Sequence, residues 1–212
     1  MMQSSLARRM TDALERDKKP SAFFAALNPQ EKGALRELFA LCGVPQSEKY
    51  HPEGDAFVHT MLVIDEAAAV RGEVAKPTAF MLAALTHDLG KAITTGRKEN
   101  GDWHSIGHET KGLPLVRALL ERAGADGETI RYCQSLCRLH MRVHTCFYGK
   151  AGVKATNRLF GECVCPQDLA LLCICDARGT LKPAGSSDAE EAFIRERLAA
   201  YLASKEYLAS KE

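Results

Sequence analysis

Residues 76–90 read KPTAFMLAALTHDLG. Pro77 and the capping Thr78 open a helix whose following residues are apolar around the whole circumference. A helix with no polar face has no side to give to water. It must run through the middle of a helical body and be wrapped by other helices. Its end is then constrained. His87 and Asp88 come next, and a carboxylate carried to the end of a buried helix must be paired, hydrogen-bonded or metal-bound. Gly90 is expected to take the left-handed conformation that stops a helix, and Lys91 to emerge beside the site, able to meet a phosphate.

The rest of the chain also has helical spacing. SSLARRMTDALERD places Leu6, Met10 and Leu14 on one stripe. NPQEKGALRELFALCG carries Asn28 as cap, Pro29 in the first turn and Gly43 as stop. AFVHTMLVIDEAAAVRG, DGETIRYCQSLCRLHMRVH (capped by Asp126) and CPQDLALLCICDARG read as further helices. The C-terminal SSDAEEAFIRERLAAYLASKEYLASKE is amphipathic, and its repeated YLASKE is too short for a solenoid unit. GVPQSEKYHPEGD and TTGRKENGDW read as loops. HSIGHETKGLPLVRALLERAG reads as loop into helix, irregular at Gly112 and Pro114. No strand alternation is visible, so the expected class is all-α.

Hydrophobic residues make up 46% and charged residues 26%, which argues against disorder, and a net charge of +1 gives no global pull toward nucleic acid or membrane. No apolar run is long enough for a membrane span or signal peptide, so a cytoplasmic protein is expected, with its eight cysteines as free thiols. Cys163-x-Cys165 and Cys173-x-Cys175 are spaced too closely for the usual zinc pattern and read as small buried hydrophobes.

Three apolar helices each bring a polar ligand type inward: His59 on one, His87 and Asp88 at the end of the second, and Asp176 at the end of the third. One shared cation would explain all of them. A two-His, two-Asp set leaves coordination positions open, which suits Mn, Fe, Ni or Mg better than a closed zinc site. The helix end carrying His87 and Asp88 has a partial negative charge that favours a cation. Lys91, Arg142 and Arg178 are candidate phosphate contacts, since fixed cations stabilise developing phosphoryl charge. His144 follows His140 by one helical turn, as a substrate contact or a support for other site groups. Trp103 and Tyr148 could stack on a base or pack at a rim, and His104 reads as a surface residue.

His59, His87-Asp88 and Asp176 resemble the H…HD…D signature of the HD phosphohydrolase superfamily. GVPQSEKYHPEGDAFVHTMLVIDEA, THDLGK, HSIGHETKG, LHMRVHT and CDARG are together similar to the HD domain of bacterial CCA-adding tRNA nucleotidyltransferases. The resemblance runs from about Gly43 to Gly179. It implies an HD-domain helical bundle with metal-dependent phosphohydrolase activity on 2′,3′-cyclic nucleotides, 2′-nucleotides or other phosphomonoesters. The metal role passes to His59, His87, Asp88 and Asp176. His108 and His140 match further family histidines: they would hold a second metal with Asp88 as bridge, or touch substrate as proton donors. About forty residues precede the motif and contain no nucleotidyltransferase head. The expectation is therefore a free-standing HD domain without CCA addition.

The organisation expected is an N-terminal helical extension over 1–45, an HD domain over 46–182, and a C-terminal amphipathic helix over 183–212 packed on the same body or on a second subunit. One or two divalent ions per chain would serve a small phosphorylated substrate, in the first place a nucleotide. RNA stays open as a partner although the net charge does not indicate it, and no membrane partner is expected. The alternatives are a regulatory HD module that binds nucleotide without turnover, and an HD-type di-iron oxygenase.

Overall fold

The structure is a computed structural model that describes residues 4–209, with side chains described from 5 to 205. Most of the YLASKE repeat therefore lies outside the described side chains. The described chain is an all-α helical bundle. Its helices are α1 (Ser4–Arg16), α2 (Ser21–Ala25), α3 (Pro29–Ala34), α4 (Arg36–Phe39), α5 (Ala56–Val70), α6 (Pro77–Thr86), α7 (Lys91–Thr94), α8 (His108–Lys111), α9 (Leu113–Ala123), α10 (Gly127–Tyr148), α11 (Val153–Gly161), α12 (Pro166–Arg178) and α13 (Asp188–Ala209). A 3-10 turn, Arg71–Glu73, closes α5. Among the described residues, no helix is long and apolar enough to cross a membrane.

α6 is the central post. Every residue from Ala79 to Thr86 is buried, as its unbroken apolar run requires. It is wrapped by α1, α5, α10 and α12. The stripe of α1 (Leu6, Met10 and Leu14) is buried as its spacing predicts. α13 packs on α10, α11 and α12 of its own chain, burying Ile194 and Tyr201. Cys133, Cys137, Cys163, Cys173 and Cys175 are buried, small apolar fillers of the core.

Local signals behave as their chemistry dictates, with three corrections. Asn28 forms a capping box with Glu31, and Asp126 caps α10 by accepting from Thr129 N at 2.7 Å. Thr78, however, does not cap α6: Lys76 holds that position, and the Thr78 hydroxyl instead donates to Glu15. The segment 94–103, read as a loop, is not structureless. It forms a two-residue ribbon, β1 (Gly96–Arg97) against β2 (Trp103–His104), closed by a turn centred on Glu99-Asn100, with Gly101 N donating to Lys98 O and Gly101 left-handed at φ +87°.

The third correction matters most for the site. Gly90 is not left-handed: its φ is −64° and ψ −21°, and the chain runs on in helical turns into α7. Close approach is what requires glycine there. A Cβ on Gly90 would stand 2.0 Å from the carbonyl oxygen of His108, and one on Gly112 would stand 2.6 Å from Gly90 N. The two glycines let the α8 segment lie directly on the turn that carries His87 and Asp88. Gly90→Ala should lower unfolding free energy by about 1–3 kcal/mol, the usual cost of overpacking a filled space. Gly33→Ala, in open space on helical α3, should be neutral or gain about 0.5–1 kcal/mol. Urea unfolding in chelator checks both, and equal stability of Gly90→Ala and the parent would refute the close-packing account.

Candidate metal centre

Asp88 is the hub of the site, 1% exposed. Its two oxygens face two different histidine pairs. Oδ2 lies 3.3 Å from His87 Nε2 and 3.7 Å from His59 Nε2. Oδ1 lies 3.0 Å from His108 Nε2 and 3.7 Å from His140 Nε2. Asp176 Oδ1 joins the first group, 2.9 Å from His59 Nε2 and 3.9 Å from His87 Nε2. The ligand-capable atoms of His59, His87 and Asp176 all lie within 4.8 Å of one another, as do those of Asp88, His108 and His140. Of the six residues singled out in the sequence as metal candidates, four histidines thus surround Asp88, and Asp176 joins them through His59 and His87.

The histidine orientations have a common cause. Each turns Nδ1 toward a backbone carbonyl: His59 to Gly179 at 3.0 Å, His87 to Ala84 at 2.8 Å, His108 to Ser105 at 2.7 Å and His140 to Cys137 at 2.6 Å. An Nδ1–H donated outward fixes the ring and leaves Nε2 pointing inward, the arrangement that metal-binding histidines use. For His59 the carbonyl is delivered by Gly179, which lies so close to α5 that a Cβ would meet Val63 Cα at 2.9 Å.

His87 Nε2 and both Asp88 oxygens are buried without a hydrogen-bond partner. Lys91 Nζ stands 2.6 Å from Asp88 Oδ2 but is not aligned as a hydrogen-bond donor to it. Convergent lone pairs and carboxylate charge, largely buried, repel one another unless a positive charge lies among them. The donor set therefore fits a divalent cation. Neighbouring cationic side chains supply part of that positive charge. Burial pushes both carboxyls up, but His87 and Lys91 around Asp88, and His144 and His59 around Asp176, hold them well below the usual carboxylate range. Burial pulls His59 down, yet Asp176 and Glu53 outweigh it and raise its pKa to about 9, so a cation at Nε2 would have to displace a proton. His140 goes the other way: burial, helped by His108 and His87, takes it to about 4 and keeps the ring neutral.

The cluster opens into a cavity of about 730 Å³. Asp88, Lys91, His108 and Asp176 line it, together with Trp103, Tyr50 and Tyr148. Lys91 is held there by Gln46 Oε1 at 2.7 Å as well as by Asp88. His104, read as a surface residue, also lines the cavity.

The expected substrate contacts need correction. Arg142 does not line the cavity: it pairs with Glu162 on an exposed face. Arg178 points away too, donating to Glu191 Oε2 at 2.9 Å. His144 does line the cavity, but both ring nitrogens are committed, to Asp176 Oδ2 at 2.9 Å and Glu190 Oε1 at 2.7 Å. It supports Asp176 and has no ring nitrogen free for substrate.

Gln46, Glu53 and Glu190 were not visible as site residues. Glu53 Oε1 touches His51 Nδ1 at 2.8 Å and His59 Nδ1 at 3.0 Å. Burial raises its carboxyl, and those two histidines pull it back below the carboxylate range. Its place inside KYHPEGD, just before α5, was the available signal.

No family model matches the chain. It is similar to curated proteins named multifunctional CCA protein. That of Pasteurella multocida (strain Pm70) is 38% identical over 169 residues, covering 76% of this chain and 39% of the relative. That of Alkalilimnicola ehrlichii is 35% identical over 200 residues, covering 89% and 46%. That of Haemophilus influenzae (strain PittGG) is 33% identical over 179 residues, covering 80% and 42%. The chain spans less than half the length of each of these relatives. Over most of its own length, this chain is a homologue of one part of the multifunctional CCA proteins, consistent with an HD domain of CCA-adding enzymes.

Proposed function

We propose that the chain is an HD-type, metal-dependent phosphohydrolase acting on nucleotides such as 2′,3′-cyclic or 2′-nucleotides, or on related small phosphoesters. The observation that carries this reading is the convergence of four inward Nε2 atoms on two buried carboxylates that line an open cavity. His59, His87, Asp88 and Asp176 would hold one divalent ion, and His108 and His140 a second, with Asp88 shared. A nitrogen-rich set of this kind favours Mn, Fe or Ni over Mg, which prefers oxygen ligands. Bound there, the metal supplies Lewis acidity, polarising phosphoryl oxygens and lowering the pKa of water.

The chain's own residues would do the rest. Asp88, kept ionised, would orient the attacking water. Lys91 is fixed by Gln46 and Asp88 and faces the cavity, where its charge would offset that of a phosphoryl group as it grows. His140, neutral at pH 7, suits a ligand better than a proton donor. Trp103, Tyr50 and Tyr148 give the cavity flat apolar walls that suit a base. The same six ligands would also serve a di-iron oxygenase, and iron content with substrate-dependent oxygen uptake would identify that case.

His87→Ala and Asp88→Ala should each lower turnover by at least about 100-fold on the phosphodiester or phosphomonoester that the parent protein cleaves, given the size of general-base and metal effects. Full activity in either variant, with the same substrate panel, would refute the reading. Lys91→Met should lower kcat by roughly 100-fold, as for loss of one charge-stabilising group. An unchanged kcat would remove Lys91 from the chemistry.

A further inference from the structure

α13 reaches the cluster through a chain of contacts that begins at Glu190. Glu190, in its first turn, is only 7% exposed. Its Oε1 accepts from His144 Nδ1 at 2.7 Å, and His144 Nε2 donates to Asp176 Oδ2 at 2.9 Å. Asp176 turns its other oxygen, Oδ1, toward His59 and His87. A carboxylate rotates easily about its last bond, because that torsion has broad, two-fold preferences. The His144 bond removes this freedom. It occupies Oδ2 and leaves Oδ1 alone to face the histidines.

We propose that Glu190 is a positioning residue for the metal centre, acting through His144 to present Asp176 with one oxygen free. The proposal rests on the cluster being a cation site. It makes the C-terminal helix part of the site's machinery. A purely structural role for Glu190, as a staple between α13 and α10, explains less. Ile194 and Tyr201 already bury the helix against the body, and an apolar residue would join two helices without the desolvation cost of a buried carboxylate. The contact is also specific: Glu190 meets the one residue of α10 that touches Oδ2 of Asp176.

The test is a titration with Mn²⁺ alone, followed by the electron paramagnetic resonance signal of the free ion. Parent protein, Glu190→Ala, Glu190→Gln and Ile194→Ala are compared, with apo-protein stability measured in chelator. Glu190→Ala should bind Mn²⁺ about 10–100-fold more weakly, the range expected for loss of a ligand's supporting partner. Glu190→Gln, whose amide oxygen still accepts from Nδ1, should recover most of the affinity. Ile194→Ala should lose stability and keep its affinity, because it loosens α13 without touching the relay. Should Glu190→Ala fail to fold, His144→Asn breaks the same link and carries the same expectation. Parent-like Mn²⁺ affinity in the relay-breaking variant, or an equal loss in Ile194→Ala, would overturn the proposal and leave the metal site standing. A parent protein that binds no Mn²⁺ would overturn both.

Discussion

Two buried carboxylates that stay ionised are the constraint on which this structure depends. Asp88 and Asp176 are both buried beside the cavity, near the end of α6, the most apolar of the described helices. Removing such charges from water costs several kcal/mol each after relaxation, and only close partners of opposite charge offset it. The fold supplies Lys91, a ring of imidazoles and, in the proposed function, bound metal. Helices α5, α6, α10 and α12 are placed so that each contributes to that compensation.

Precision comes from backbone, more than from the ligands themselves. Carbonyls of Gly179, Ala84, Ser105 and Cys137 aim the four rings. Two of those arrangements depend on missing side chains. Gly179 lies on Val63, and Gly90 and Gly112 lie on one another, so that His59 and His108 reach the cluster. An atom at any of these glycines would push a ligand outward without altering a ligand's identity. Around this frame a further layer tunes charge: Glu53 behind His59, Gln46 behind Lys91, and His144 with Glu190 behind Asp176.

Much of this was legible in the sequence, for a physical reason. A polar residue in an apolar run is conspicuous, so His59, His87, Asp88 and Asp176 stood out, and the ordered motifs drew in His108 and His140. α6 could be placed at the centre because no face of it suits water. The supporting groups were not legible. Glu53 sits in a polar loop and Glu190 in an acidic helix start, where a carboxylate is ordinary; only tertiary contacts distinguish them. Arg142 and Arg178 misled for the same reason in reverse: each is a helix residue near a motif, claimed by an acidic neighbour on another helix or turn. The ribbon at Gly96–Arg97 and Trp103–His104 has strands too short to alternate, although Asn100-Gly101 was a turn signal. Gly90 was assigned to a stop, whereas the need it meets lies in residues 108–112, far along the chain.

The central claim is that Asp88 joins two metal positions. Elemental analysis of parent protein and His108→Ala, purified alike, tests it most directly. Close to two metal ions per chain in the parent, falling toward one in the variant, is the result predicted. No stoichiometric metal in the parent, or the same content in both, would contradict it.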